Sequence, residues 1–183
     1  MLAMPKLAPA TYTRRFAFMG PMCSGKTYCA NVLQIGYNYT KMGFADKLKS
    51  LAYDLYGVQG KDGDSRRILQ ELADDLKKYD KDLFIKHLLY LAKKHDEHES
   101  IVVDDLRFKP EADALRKNGF KIVLVTCDES IRQERIARLY PHAPQGAQAH
   151  RSEQEWRSIP ADYSVMSNNI SDILDMHQIL GVE

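Results

Sequence analysis

Hydrophobic positions fall into short blocks whose period changes along the chain, and the changes mark the elements. Arg15–Met19 is an apolar run of strand length, followed by a Gly-rich turn and a helical pattern from about Gly25 to Gln34. Tyr37–Phe44 reads as a weak extended segment. Between Asp46 and Tyr56, apolar residues recur at Leu48, Leu51, Ala52 and Leu55, the spacing of one helix face. Gly57–Asp64 holds three glycines and reads as a loop. Ser65 fits the N-cap of a helix carrying Ile68, Leu69, Leu72 and Leu76 on one side. A further helix over about Asp82–His95 is expected to bury Leu83, Phe84, Leu88 and Leu91.

In the second half, Ile101–Val103 is a buried-type strand that ends in Asp104-Asp105. Pro110 opens a helix that runs to Lys117 and is closed by Gly119. Phe120–Thr126 is the strongest strand pattern, and Ser130–Tyr140 a strongly charged helix. Pro141–His150 has no periodicity and reads as a loop. Ser152 with Glu155 fits a capping box for a short helix. Tyr163–Met166 and Ile170–Leu180 read as a last strand and helix. Strands separated by helices predict an α/β fold with a mostly parallel sheet covered on both faces.

The bulk numbers narrow the function classes. A chain of 183 residues with net charge +1 points to one domain and argues against nucleic-acid or membrane-surface binding. Cys23, Cys29 and Cys127 are odd in number and widely spaced, so neither a disulfide framework nor a metal-ligand spacing emerges, which suits a reducing cytoplasm. The apolar runs are far short of the ~20 residues that span a bilayer, and Met1–Tyr12 lacks the apolar stretch of a signal peptide. The expected partners are small molecules, and a homodimer is compatible with the composition.

Gly20-Pro-Met-Cys-Ser-Gly25-Lys26-Thr27 carries the chemistry, since it meets every required position of G-x-x-x-x-G-K-[ST]. A loop that wraps phosphate with backbone N–H groups needs glycine where the chain turns tightly, and the following helix aims its N-terminal dipole at the anion. Gly20, Cys23, Ser24, Gly25, Lys26, Thr27 and Tyr28 are therefore the expected ATP-binding set. Lys26 would reach the β- and γ-phosphates, and the Thr27 hydroxyl would ligate Mg2+. The loop sets the fold expectation: a P-loop NTPase-type three-layer α/β/α domain with a mostly parallel five-stranded sheet.

Acid and arginine groups follow on other strands. Asp105 or Asp104 ends an apolar strand where ligands of open α/β sheets bind, and Asp105 is the expected second metal group. Arg107 could grip an acceptor phosphate bidentately; the plain alternative is a surface ion pair. Arg66-Arg67, Lys47 and Lys49 near Asp46 are further acceptor-side candidates. Arg132, Arg135 and Arg138 recur along one helix flank, either as a solvated face or as a lid that brings charge to the transferring phosphate; Arg132 and Arg135 are placed with Lys26 and Arg107 as catalytic candidates. His95-Asp-Glu-His98 reads as a charged helix end, Trp156 and Tyr163 as core anchors, and His150-Arg-Ser-Glu153 as capping structure.

Beyond the P-loop, several ordered segments are distinctive: Phe44-Ala-Asp-Lys-Leu-Lys49, Arg66-Arg67 with Leu69-Gln70, Asp105-Leu-Arg107-Phe-Lys-Pro-Glu111, His150-Arg-Ser-Glu153, and Asp162 with Asn168-Asn169. In these the chain resembles the phage and bacterial deoxynucleoside monophosphate kinases, from about Arg15 to Leu180. The family pattern often has Asn where this chain has Lys109-Pro110. The resemblance implies an ATP and Mg2+ donor, a (deoxy)nucleoside monophosphate acceptor and a diphosphate product. It places Arg107 on the acceptor phosphate, with Lys49, Arg66, Asp46, Gln70 and Asp105 on the acceptor side. About residues 45–98 would be an acceptor-binding helical insertion, and about 130–150 a lid. The rivals are a kinase for another phosphorylated metabolite such as phosphomevalonate, a hydroxyl kinase with Asp46 as base, and a non-catalytic ATP-binding module. No Asn-Lys-x-Asp guanine signature follows the P-loop.

Overall fold

A computed structural model describes residues 14–58, 63–95, 99–141 and 155–182. In chain order the elements are β1 (Arg15–Met19), α1 (Lys26–Tyr37), β2 (Thr40–Met42), α2 (Asp46–Tyr56), α3 (Gly63–Tyr79), α4 (Leu83–Lys94), β3 (Ile101–Val103) and α5 (Lys109–Lys117). Then come β4 (Lys121–Thr126), α6 (Glu129–Leu139), a 3-10 turn (Glu155–Ser158), β5 (Tyr163–Met166) and α7 (Ile170–Ile179). The five strands form one sheet in the order β2-β3-β1-β4-β5, and every pairing is parallel. This is the three-layer α/β/α P-loop architecture.

Parallel strands covered on both faces are apolar throughout, which is why Ile101–Val103 and Ile122–Val123 are wholly buried. Alternate side chains then divide the core. Phe16, Phe18, Val102, Val123, Val125 and Val165 face Cys29, Ala30 and Leu33 of α1 with Ile173 and Met176 of α7. Ala17, Met19, Ile101, Val103 and Ile122 face Leu88 and Ala92 of α4 with Ala112 and Leu115 of α5. Among the described residues, no helix is long and apolar enough to cross a membrane.

Three local expectations change. α3 begins at Gly63, two residues before the expected cap, and Ser65 is buried within its first turn. On α2, Leu48 and Ala52 are buried while Leu55 is exposed. The buried stripe of α4 runs through Leu88 and Ala92, with Ile85 and Leu89 packed beside it, so Leu91 turns outward. In both helices the buried stripe is narrower than the apolar pattern: α2 packs mainly against α3, and α4 turns only one line of residues into the core beside the sheet. The expected loop beyond Pro141, His150–Glu153 and the Arg66 side chain lie outside the described residues.

Candidate active site

β1 and β3 are neighbours in the sheet, and the chain leaves β1 toward β2 on one side and β3 toward β4 on the other, which opens a crevice at their C-terminal ends. The chain turns there. Gly20 has φ +140°, and a Cβ on it would lie 2.2 Å from the Val125 carbonyl oxygen. Cys23 takes a left-handed φ of 62°, which costs about 1 kcal/mol for a residue with a side chain. Gly25, at φ +93°, is the N-cap of α1. α1 has no side-chain cap and no acid in its first turn, so the helix start is open to an anion.

The Lys26 ammonium curls back across the turn, donating to the Gly20 carbonyl at 2.9 Å and the Pro21 carbonyl at 2.7 Å. Ser24 N donates to Pro21 O at 3.2 Å, while the buried Ser24 Oγ has no hydrogen-bond partner. Thr27 and Tyr28 are exposed at the helix start. The residues expected to bind ATP are thus one contiguous, glycine-bounded loop.

What holds the loop from behind was not read from the sequence. Ser167, directly after β5 and fully buried, donates its hydroxyl to the Ser24 carbonyl. The Arg135 guanidinium donates to Cys23 O at 3.5 Å, Ser167 Oγ at 3.3 Å and Asn168 O at 3.3 Å, and also to Ser167 O. Arg132 is gripped by both oxygens of Glu129, at 2.8 and 2.7 Å, and reaches Met22 O at 3.5 Å. The pair holds the Glu129 carboxyl down at about 2, chiefly by its hydrogen bond to Arg132. Arg132 and Arg135, expected either on a solvated face or on a lid, reach carbonyls of the loop here. Arg138 is exposed.

On the other side of β1, Asp105 Oδ1 accepts from Phe44 N at 2.9 Å and Oδ2 from Ala45 N at 3.0 Å. Burial nevertheless raises the Asp105 pKa. A Cβ on Gly43 would lie 2.9 Å from Asp105 Oδ2 and 3.0 Å from Asp46 Oδ1, so glycine lets the turn slip between the two carboxylates. Asp105, expected on the metal, holds the Phe44–Ala45 turn with one backbone amide on each carboxylate oxygen. Asp104 pairs with Lys41 at 3.1 Å, and Lys41 also bonds Asn31 at 2.9 Å.

Six residues after Asp105, Glu111 Oε2 accepts from both Arg107 N and Phe108 N at 3.0 Å. Burial pushes this carboxyl up to about 7 against those two bonds. The Arg107 side chain is exposed, while Lys77 of α3 lies 5.9 Å from the Phe108 ring. Lys49 pairs with Asp46 at 3.6 Å on the exposed face of α2. Gln70 is exposed on α3, and Arg66 belongs to the same helix. Asp162, Asn168 and Asn169 act on the fold itself: Asp162 accepts from Ile122 N at 2.7 Å, Asn168 from Asp128 N at 2.7 Å, and Asn169 caps α7 through Asp172 N at 3.0 Å.

A family model described as an AAA domain matches residues 17–155. No curated protein matches the sequence. Solved structures share the fold at low identity. The Thermus thermophilus protein TT1252 is 15% identical, with TM-score 0.61 over 93% of this chain and 98% of its own. APS kinase from Mycobacterium tuberculosis, solved with AMPPNP and APS, is 15% identical with TM-score 0.54 over 92% and 98%. Shikimate kinase from Bacteroides thetaiotaomicron is 12% identical with TM-score 0.51 over 92% and 98%.

Proposed function

We propose that this chain, which belongs to the AAA domain family, is a kinase that transfers the γ-phosphate of ATP to a (deoxy)nucleoside monophosphate. One observation carries the reading. β1 and β3 are paired in register at Ala17↔Val103, so the Gly20–Thr27 loop and the Asp105–Arg107 turn leave the sheet side by side at one edge. A phosphate-binding loop and an exposed arginine on a braced turn then face the same crevice, as a reaction between two phosphates requires.

In this reading the loop amides and Lys26 hold the donor phosphates. Mg2+, when bound, supplies charge neutralisation on the donor phosphates, and the exposed Thr27 hydroxyl is the protein group placed to hold it. Arg107 holds the acceptor phosphate in line, and Lys49, Asp46, Gln70 and Arg66 belong to the acceptor side. An ionised phosphate is already a nucleophile, so these residues need supply no general base; positioning and positive charge provide the rate. Arg132 and Arg135 keep the loop in its binding shape. Residues 45–98 are the acceptor-binding part and 130–150 the cover.

A second reading rests on Asp46. Its exposed carboxylate in the first turn of α2 suits a proton acceptor for a hydroxyl substrate, and a neighbour of this fold is named shikimate kinase. A panel of ribo- and deoxynucleoside monophosphates, set against phosphomevalonate and hydroxyl acceptors such as shikimate and sugars, separates the two when ADP release is read with Lys26→Ala as the control. Turnover confined to hydroxyl acceptors would overturn the monophosphate reading. ATP binding without turnover of any acceptor would leave a binding module.

A further inference from the structure

The Asp105–Glu111 segment contains two half-buried carboxylates whose hydrogen bonds run to backbone amides. Asp105 takes the amides of Phe44 and Ala45 on the neighbouring turn. Glu111, in the first turn of α5, takes the amides of Arg107 and Phe108 on one oxygen. Between them stands Leu106, fully buried, which anchors the turn to the core. Arg107 is therefore an exposed side chain on a backbone held from three directions. Without the Glu111 acceptor, the Arg107 and Phe108 amides lose the group that fixes their direction, which loosens the turn.

We infer that Glu111 and Asp105 are positioning residues that together fix Arg107 and the Phe44–Asp46 turn at the spacing of the acceptor. Glu111 sets the direction of the Arg107 backbone, and Asp105 ties that segment to the turn leading into Asp46 and Lys49. The charged groups nearest Glu111 are Asp105, which opposes its ionisation, and Lys77, which favours it. Asp105 in turn senses Asp104 and Lys49. The carboxylates need only accept from N–H groups, and an amide oxygen at position 111 can do the same. The inference rests on the acceptor-side reading of Arg107.

The test compares Glu111→Ala, Glu111→Gln and Asp105→Asn in the full chain, each first shown to melt cooperatively. Glu111→Ala should raise the acceptor KM about tenfold or more, with the ATP KM within about twofold; Glu111→Gln should restore it to within about threefold of wild type. Asp105→Asn, which places an amide NH2 against a backbone N–H, should resemble Glu111→Ala. Amide hydrogen exchange at Arg107 and Phe108 is read without substrate and should speed up in Glu111→Ala but not in Glu111→Gln. Unchanged exchange in Glu111→Ala overturns the brace whatever the acceptor proves to be. Faster exchange with an unaltered KM for every acceptor that is turned over keeps the brace structural and overturns its positioning role. If Glu111→Gln fails as badly as Glu111→Ala, the charge itself acts and the inference is wrong. Turnover of hydroxyl acceptors alone would refute the function proposed above while leaving the exchange result intact.

Discussion

Gly20 sits so close to Val125 that a Cβ on it would lie 2.2 Å from the Val125 carbonyl oxygen, well inside van der Waals contact. The first glycine of the phosphate loop is thus demanded by the strand beside it as well as by its own φ of +140°. Gly20→Ala must push β4 away or abandon that backbone conformation. Urea melts should show a loss of about 3 kcal/mol or more, together with weakened ATP binding. A stable variant that binds ATP normally would show that the loop does not use this conformation.

Arg107→Ala should act on the acceptor and leave the donor alone. Its side chain is exposed while its backbone is fixed by Glu111, so the fold should survive its loss. Removing a bidentate, charge-assisted contact is expected to cost about 2–4 kcal/mol of transition-state binding. Steady-state kinetics should place that loss in the acceptor KM or kcat. A loss in ATP affinity would move Arg107 to the donor side.

Arg135→Ala tests whether this arginine braces the loop or moves over the substrate. The guanidinium bonds carbonyl oxygens at Cys23, Ser167 and Asn168 and the Ser167 hydroxyl, and four oxygens lose this donor when it goes. Calorimetry should find ATP affinity reduced about tenfold or more, with Arg135→Lys only partly restoring it, since an ammonium cannot span the same fork. Intact ATP affinity with a collapsed kcat would assign the residue to transition-state charge instead.

Glu111 should also write itself into the pH dependence of stability. Its carboxyl is raised from 4.5 to about 7 in the folded protein, mainly by burial. The folded state therefore holds a proton that the unfolded chain releases, and the resulting stability is complete below about pH 4.5 and lost as pH rises through about 7. Glu111→Gln keeps an accepting oxygen and has nothing to titrate. Relative to wild type, the variant should gain about 2–3 kcal/mol between about pH 5 and about pH 8 in paired urea melts. Parallel pH profiles would mean that the carboxyl titrates as it does in the unfolded chain.

Much of the phosphate loop is legible along the chain because its determinants are contiguous. Gly20, Gly25, Lys26 and Thr27 are adjacent in sequence, and turn, helix start and ammonium follow from local backbone geometry. The strand Tyr163–Met166 was readable with its final bounds for the related reason that it is apolar and edged by turn residues. Helix faces were less readable. Leu55 and Leu91 fit a helical stripe yet face outward, since the elements packed against each helix decide how wide its buried line is.

By itself the amino-acid sequence determined the phosphate loop, the alternation of strands and helices, and the chemical types gathered at strand ends. Tertiary structure alone decided what those groups touch. The Asp105 carboxylate meets Phe44 and Ala45 across about sixty positions, a backbone-holding contact that no spacing in the sequence announced. Ser167 reaches Ser24 from 143 positions away, and Arg135 links Ser167 to Cys23 of the same loop. A hydrogen bond depends on position within a few tenths of an ångström, and between distant segments that position is set by the strand order β2-β3-β1-β4-β5. Spacing along the chain carries no record of that order, because a parallel sheet can place consecutive strands on either side of the first.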